Sequence, residues 1–252
     1  GAREVEGFPT SEQLRTMIAR RGTRKELNKQ PIDSAIAGRD YQLEMIRNVT
    51  EALDQERRRR VLLVMATGTG KTRVAMAIAK LLRGAQWVNR VLFLADRTAL
   101  VEQARDAFAE LYPESAPVNL LVTPNEVGEV YFSTYHTMMG MINEDGDTPA
   151  KFRPFDFDLI IIDEAHRSIY YRFKRILDYF DSYVVGLTAT PKADVHHDTY
   201  ALFYIDDRQP TGSYDLTEAI SDGNLVPYVA FKQDSVFLRA GVSYAELTPE
   251  QQ

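Results

Sequence analysis

Apolar residues fall into short unbroken blocks separated by longer stretches of helical periodicity. The blocks are 61–65, Val91–Ala95, Val130–Thr134, 159–162 and 184–187. Continuous apolar runs of this length predict strands buried on both faces. Between them, residues 71–82 and 98–111 place apolar side chains three and four positions apart, which predicts helices. Strand–helix alternation predicts an α/β fold: a mostly parallel sheet with helices on both faces. Upstream, residues 39–60 predict a helix whose apolar side is Tyr41, Met45, Ile46, Val49 and Leu53. A first helix carries Leu14, Met17 and Ile18 behind a cap at Thr10 or Ser11. Residues 113–125 and 143–154 are loop-like. Beyond Pro191 the pattern weakens to a short helix at 215–222 closed by Gly223, a strand at 226–231 and a polar stretch at 235–252.

Composition narrows the possibilities. Hydrophobic residues make up 44% of the 252, enough for one large α/β domain with a real core. The net charge of −6 argues against a whole-surface grip on nucleic acid, so any such contact has to come from a local face. There is no cysteine, which excludes disulfides and thiolate metal sites. No apolar run approaches the ~20 residues needed to span a membrane, and the first thirty residues lack a signal-peptide core. The expectation is a cytoplasmic protein.

The first block runs into Ala66-Thr67-Gly68-Thr69-Gly70-Lys71-Thr72. A strand, a glycine-containing turn and a helix in that order make a phosphate loop. Glycines let backbone N–H groups approach phosphate oxygens, and the helix N-terminus adds partial positive charge at the same place. Lys71 can reach the outer phosphates of ATP, and the Thr72 hydroxyl can ligate Mg²⁺. Met65 stands where the general pattern has its first glycine. That relaxed form suits helicase-type ATPases.

The block at 159–162 ends in Asp163-Glu164-Ala165-His166. The C-terminal end of a central strand is where ligands sit in open α/β sheets. Two adjacent carboxylates there require a nearby cation. Asp163 is expected to hold Mg²⁺, Glu164 to orient and deprotonate the attacking water, and His166 to connect the nucleotide site to the rest of the machine.

With Thr188-Ala189-Thr190, these stretches resemble motifs I, II and III of superfamily 2 helicases and translocases, in order and each at a strand end. The resemblance covers about residues 38–231 and implies one RecA-like P-loop NTPase lobe. It also implies that Gln42 reads the adenine edge and that Tyr41 or Arg39 stacks on the base, within Gly38-Arg39-Asp40-Tyr41-Gln42. Thr67, Gly68, Thr69, Gly70, Lys71 and Thr72 then form the nucleotide cradle. Arg97, Gln103 and Thr134 would touch a DNA backbone, through stretches resembling the backbone-contacting motifs. Thr188 and Thr190 would couple nucleotide state to those contacts.

Residues 63–72, 91–97, 163–170, 186–192 and 225–228 resemble, more closely, the R (motor) subunit of type I restriction enzymes. That resemblance implies ATP-driven translocation of double-stranded DNA within a complex holding modification and specificity subunits. It also implies a nuclease domain and a second lobe with an arginine finger. Neither is legible here, so the expectation is a fragment: a lead-in at 1–37, the motor lobe at 38–231, and at 232–252 the start of a connection to a second lobe. Alone, such a fragment would bind nucleotide weakly and barely hydrolyse it.

Two further readings stand beside this one. The first is a stand-alone superfamily 2 helicase or repair translocase with the same lobe. The second is a non-hydrolysing nucleotide-binding scaffold, disfavoured by the presence of Glu164. Other features read as bland. Arg57–Arg60 fits the solvated end of a helix better than a DNA patch. His196-His197 fits a polar loop better than a metal site. Asn48-Val49-Thr50 sits on a helix rather than in a glycosylated loop.

Overall fold

The computed structural model describes residues 7–142, 150–164, 170–191, 193–194 and 197–227. Its centre is a seven-stranded sheet in the order β3-β4-β2-β5-β6-β1-β9. The strands are β1 (Arg60–Met65), β2 (Val91–Ala95), β3 (Pro117–Asn119), β4 (Val130–Thr134), β5 (Leu159–Asp163), β6 (Tyr183–Thr188) and β9 (Gly212–Tyr214). Every neighbouring pair in this sheet runs parallel. A separate two-stranded antiparallel pair joins β7 (Ala193–Asp194) to β8 (His197–Asp198).

Strand residues alternate between two cores. Val61, Leu63, Met65, Phe93 and Ile161 face α2 (Asp40–Asp54), α3 (Lys71–Gly84) and α4 (Thr98–Leu111). Leu62, Leu92, Leu94, Ile160 and Ile162 face the other way. There they pack under α5 (Tyr135–Ile142), α6 (Tyr170–Tyr179) and α7 (Thr199–Leu202). Ile160, Ile161 and Ile162 are fully buried, and each contributes roughly 1.5–3 kcal/mol through burial. The short helix α8 (Leu216–Ser221) starts at an Asp215 cap, whose carboxylate accepts from the Glu218 N–H, and closes near Gly223.

The lead-in is held to this body in two ways. Helix α1 (Ser11–Thr23) begins at a Thr10–Gln13 capping box and has no buried residue. Polar contacts hold it: Gln13 Nε2 donates to Asp156 at 2.8 Å, and Arg20 pairs with Asp158 at 2.5 Å. The helix expected from the spacing of Leu14, Met17 and Ile18 is present, with Met17 half-buried and Leu14 and Ile18 exposed. Further on, Leu27, Ile36 and Ala37 are buried in the same core as α2.

Two local expectations need correction. The helix drawn over 39–60 stops at Asp54, and Arg57 takes a left-handed backbone (φ 54°) in the turn that follows. Arg60 belongs to β1, so the arginine run is a helix-to-strand connection rather than a helix end. The loop drawn over 113–125 contains edge strand β3. The strand expected at 226–231 lies largely outside the described residues, and His166 and His196 lie outside them altogether.

Candidate functional site

Strand order sets the site. Strand β1 delivers the phosphate loop, and β5 delivers Asp163 and Glu164. Strand β6 lies between them, with Val64 opposite Thr188 on one side and Leu187 opposite Asp163 on the other. The three sequence-marked segments therefore meet at the C-terminal edge of the sheet.

The turn between β1 and α3 has the backbone that a phosphate loop requires. Gly68 and Gly70 hold φ values of 88° and 87°, the left-handed region that glycine enters without steric cost. A Cβ on Gly70 would stand 2.7 Å from Gln42 Nε2, so a side chain there would displace the Gln42 amide and strain the backbone. Thr69 is fully buried, and its hydroxyl donates to the Ala66 carbonyl at 2.6 Å, closing the turn from inside. Thr67 is exposed at the crest, and Thr72 is half-buried in the first turn of α3. Met65, the departure from the glycine pattern, is buried as the last residue of β1.

Lys71 spans the gap to the acidic strand. Its ammonium lies 3.4 Å from Glu164 Oε1 and 3.5 Å from the Met65 carbonyl. Asp163 Oδ1 accepts the Glu164 N–H at 3.1 Å, and Glu164 takes a left-handed backbone at φ 57°. A non-glycine residue in that region stores strain of order 1–3 kcal/mol, a pattern that clusters at functional sites. Burial, and then the neighbouring Glu164 charge, push the Asp163 carboxyl up to about 6, while Lys71 pulls it the other way. Two carboxylates facing one ammonium leave a surplus of negative charge. A hard oxygen-ligated cation would balance it, and the Asp163 carboxylate and Thr72 hydroxyl are the oxygen donors such an ion takes. The residues present therefore fit a magnesium-bound phosphate chain.

Beside the loop lies a cleft of about 490 Å³ lined by Gly38, Arg39, Gln42, Gly70 and Arg73 among others. Arg39 is exposed at its rim. Gln42 is buried, with both ends of its amide engaged: Nε2 donates to the Thr69 carbonyl at 3.0 Å, and Oε1 accepts the Arg39 N–H at 3.4 Å. Tyr41 follows its place on the apolar side of α2 rather than the stacking role that the resemblance implies. Its ring is buried against Tyr214, with centroids 4.0 Å apart and planes 6° apart. Its hydroxyl donates to the Thr69 carbonyl at 2.9 Å. The ring offered for base stacking is thus core packing, leaving Arg39 as the candidate at the cleft.

Thr188 is fully buried at the end of β6, and its Oγ1 accepts the Thr190 N–H at 3.2 Å. Thr190 itself is exposed. Among the residues expected to touch DNA, Arg97 and Gln103 are exposed at and within α4. Thr134 departs from the expectation: it is buried, and its hydroxyl accepts the Thr137 N–H at 3.3 Å and pairs with the Thr137 hydroxyl at 3.0 Å. That oxygen caps α5.

Two site residues escaped the sequence reading. Tyr135 is buried with its hydroxyl donating toward the Leu94 and Asp163 carbonyls, at 3.2 and 3.3 Å, across the ends of β2 and β5. Tyr214 sits in a strand of three residues, too short to show a period. The only available signal for Tyr135 was its place directly after an apolar block.

Comparison with known proteins agrees with this geometry. The family model described as "Type III restriction enzyme, res subunit" matches residues 35–193. The EcoAI endonuclease subunit of a type I restriction enzyme from Escherichia coli is 38% identical over 200 residues, 78% of this chain. This chain spans only 24% of that relative's length. A fragment structure of an HsdR subunit of a type I restriction enzyme from Vibrio vulnificus superposes with a TM-score of 0.58 at 30% identity, covering 87% of this chain and 38% of the other. The Hef helicase domain of Pyrococcus furiosus shares the fold, with a TM-score of 0.54 at 24% identity over 70% of this chain and 39% of its own. The all-parallel sheet, the phosphate loop facing an acidic strand end and these matches together place the chain in the restriction-enzyme res subunit family, as a helicase-like lobe similar to the R subunits of type I enzymes.

Proposed function

We propose that this lobe binds ATP with Mg²⁺ and forms half of the ATPase site of a type I restriction R subunit, which translocates double-stranded DNA. The observation that carries the reading is Lys71 facing Glu164 at 3.4 Å, beside a half-buried Asp163, over a turn whose Gly70 backbone lies in the left-handed region.

Each residue then has a task. Backbone N–H groups of Gly68 through Lys71 and the start of α3 receive the phosphate chain, and Lys71 leaves Glu164 to meet its outer oxygens. Thr72 and Asp163 would hold the magnesium, which supplies charge neutralisation at the phosphate oxygens when bound. Released from Lys71, the Glu164 carboxylate orients the attacking water and accepts its proton. Arg39 lies at the mouth of the cleft where a base would enter, and Gln42 reads the base once its amide leaves the loop. Thr188 and Thr190 carry the change at β6 toward Arg97 and Gln103, the exposed candidates for DNA-backbone contact. Thr134 reaches DNA only if its cap opens, and His166 completes the acidic motif as the connecting residue.

A second RecA-like lobe would close the site with a cationic finger, which in related NTPases is worth ~10³–10⁵ in rate. The isolated lobe is therefore expected to bind nucleotide weakly and turn over very slowly. Double-stranded DNA and the modification and specificity subunits are the partners this reading implies, in the cytoplasm. No helix among the described residues is long and apolar enough to cross a membrane. The test is DNA-stimulated ATPase and translocation by the full-length subunit. Lys71→Ala and Glu164→Gln should each abolish both, and turnover surviving either change would refute the site.

A further inference from the structure

The phosphate loop is braced from behind by a segment that no motif marks. Strand β9 pairs with the end of β1, setting Tyr214 opposite Met65, and the Tyr214 carbonyl accepts the Ala66 N–H at 2.9 Å where the loop begins. The Tyr214 ring lies flat on Tyr41, whose hydroxyl holds the Thr69 carbonyl at the loop's far end. The Tyr214 hydroxyl donates to Asp222 Oδ2 at 3.0 Å and accepts from Asn224 Nδ2 at 2.9 Å, so it is tied to the end of α8. Just beyond, the Leu225 side chain packs against the core and stands 3.3 Å from where a Cβ on Gly68 would lie. One residue thus reaches both ends of the phosphate loop and the chain that follows α8.

We infer that Tyr214 is a positioning residue for nucleotide binding, setting the phosphate-loop backbone through Tyr41 and Thr69. A closely stacked aromatic pair is stabilised beyond its burial, and a hydrogen bond to the loop adds to that, each enough to change an affinity several-fold. Both are large enough to set ground-state affinity for the nucleotide. Neither group reaches the reacting atoms, so the chemical step is left alone.

This inference rests on the ATP-binding reading, and the test separates the two. ATP KM and kcat are measured in the full-length subunit for Tyr214→Leu, Tyr214→Phe and Tyr41→Phe, with ATP binding by Lys71→Ala as the control. Tyr214→Leu should raise KM about five- to tenfold with kcat within about twofold, and Tyr214→Phe, which keeps the stack, should recover most of the loss. Tyr41→Phe keeps the ring but cuts its tie to Thr69, and should raise KM about fivefold. Adding Tyr214→Leu to Tyr41→Phe should then cost less than about twofold more, because the link is already broken. If Tyr214→Leu does not fold, the two phenylalanine variants carry the test by themselves. An unchanged KM in Tyr41→Phe, additive effects, or a loss confined to kcat would overturn the inference. Wild-type ATP binding by Lys71→Ala would instead overturn the nucleotide site itself.

Discussion

Lys71, the first residue of α3, stands 3.4 Å from Glu164 just past the end of β5, although β6 separates β5 from β1, the strand that leads to α3. The ammonium neutralises the glutamate while no phosphate is there. On the proposed ATP-binding reading, a phosphate chain would compete for Lys71 and free the Glu164 carboxylate, so that binding and activation of the base would be one exchange of partners.

Stability of the metal-free protein should depend on pH through Asp163. Its carboxyl is raised to about 6 in the folded state, from 3.8 in the unfolded chain. The folded state therefore binds more protons between those values, so stability falls as pH rises through that window. The full loss, at most about 3 kcal/mol, is in place above pH 6. Urea unfolding in EDTA should show this fall, and Asp163→Asn should flatten it and stabilise the protein at neutral pH. A carboxyl that titrates normally would leave the two profiles parallel. Affinity for Mg²⁺ should weaken by up to about tenfold per pH unit below 6, as protons compete for the same oxygen.

Gly70→Ala should injure the site more than the fold. The new methyl would sit 2.7 Å from Gln42 Nε2, on a backbone at φ 87° that alanine resists. Roughly 1–2 kcal/mol of backbone strain is expected. The loop would relieve it by moving, so ATP affinity should drop at least about tenfold while circular dichroism stays native. Wild-type affinity would show that the loop tolerates a side chain there.

Gly186→Ala is the opposite case. Its Cβ would run into the buried Phe203 ring in the middle of β6. Overpacking of this kind costs about 1–3 kcal/mol or more. The thermal midpoint should fall by several degrees, and Phe203→Leu in the same chain should recover part of the loss. No change in midpoint would mean that Phe203 does not fill this side of the sheet.

The central sheet was readable because its strands are buried on both faces, leaving nothing for a polar residue to do within them. Val91–Ala95 and Val130–Thr134 were delimited to the residue on that ground alone. Edge strands gave no such sign. Pro117–Asn119 and Gly212–Tyr214 have three residues each, too few for a period, and form through their neighbours. Leu14, Met17 and Ile18 marked α1 by their spacing, although the helix is held by Gln13 and Arg20 while Leu14 and Ile18 stay exposed. The glycine turn at 66–70 and the acidic pair at 163–164 stood out because the chemistry expected of them demands particular residues at particular spacings, and the structure brings them together at Lys71 and Glu164. Tyr41 was read both ways, as part of the apolar side of its helix and as a ring offered to a base, and its stack on Tyr214 decides for the first.

The most direct test of the account is ATP binding and turnover by Glu164→Gln in the full-length subunit, with and without double-stranded DNA. If Lys71 is held by Glu164 until phosphate arrives, the neutral amide should leave ATP affinity unchanged or tighter, while turnover falls by at least about a hundredfold. Turnover near the wild-type rate, or ATP affinity lost together with it, would contradict the roles given to both residues.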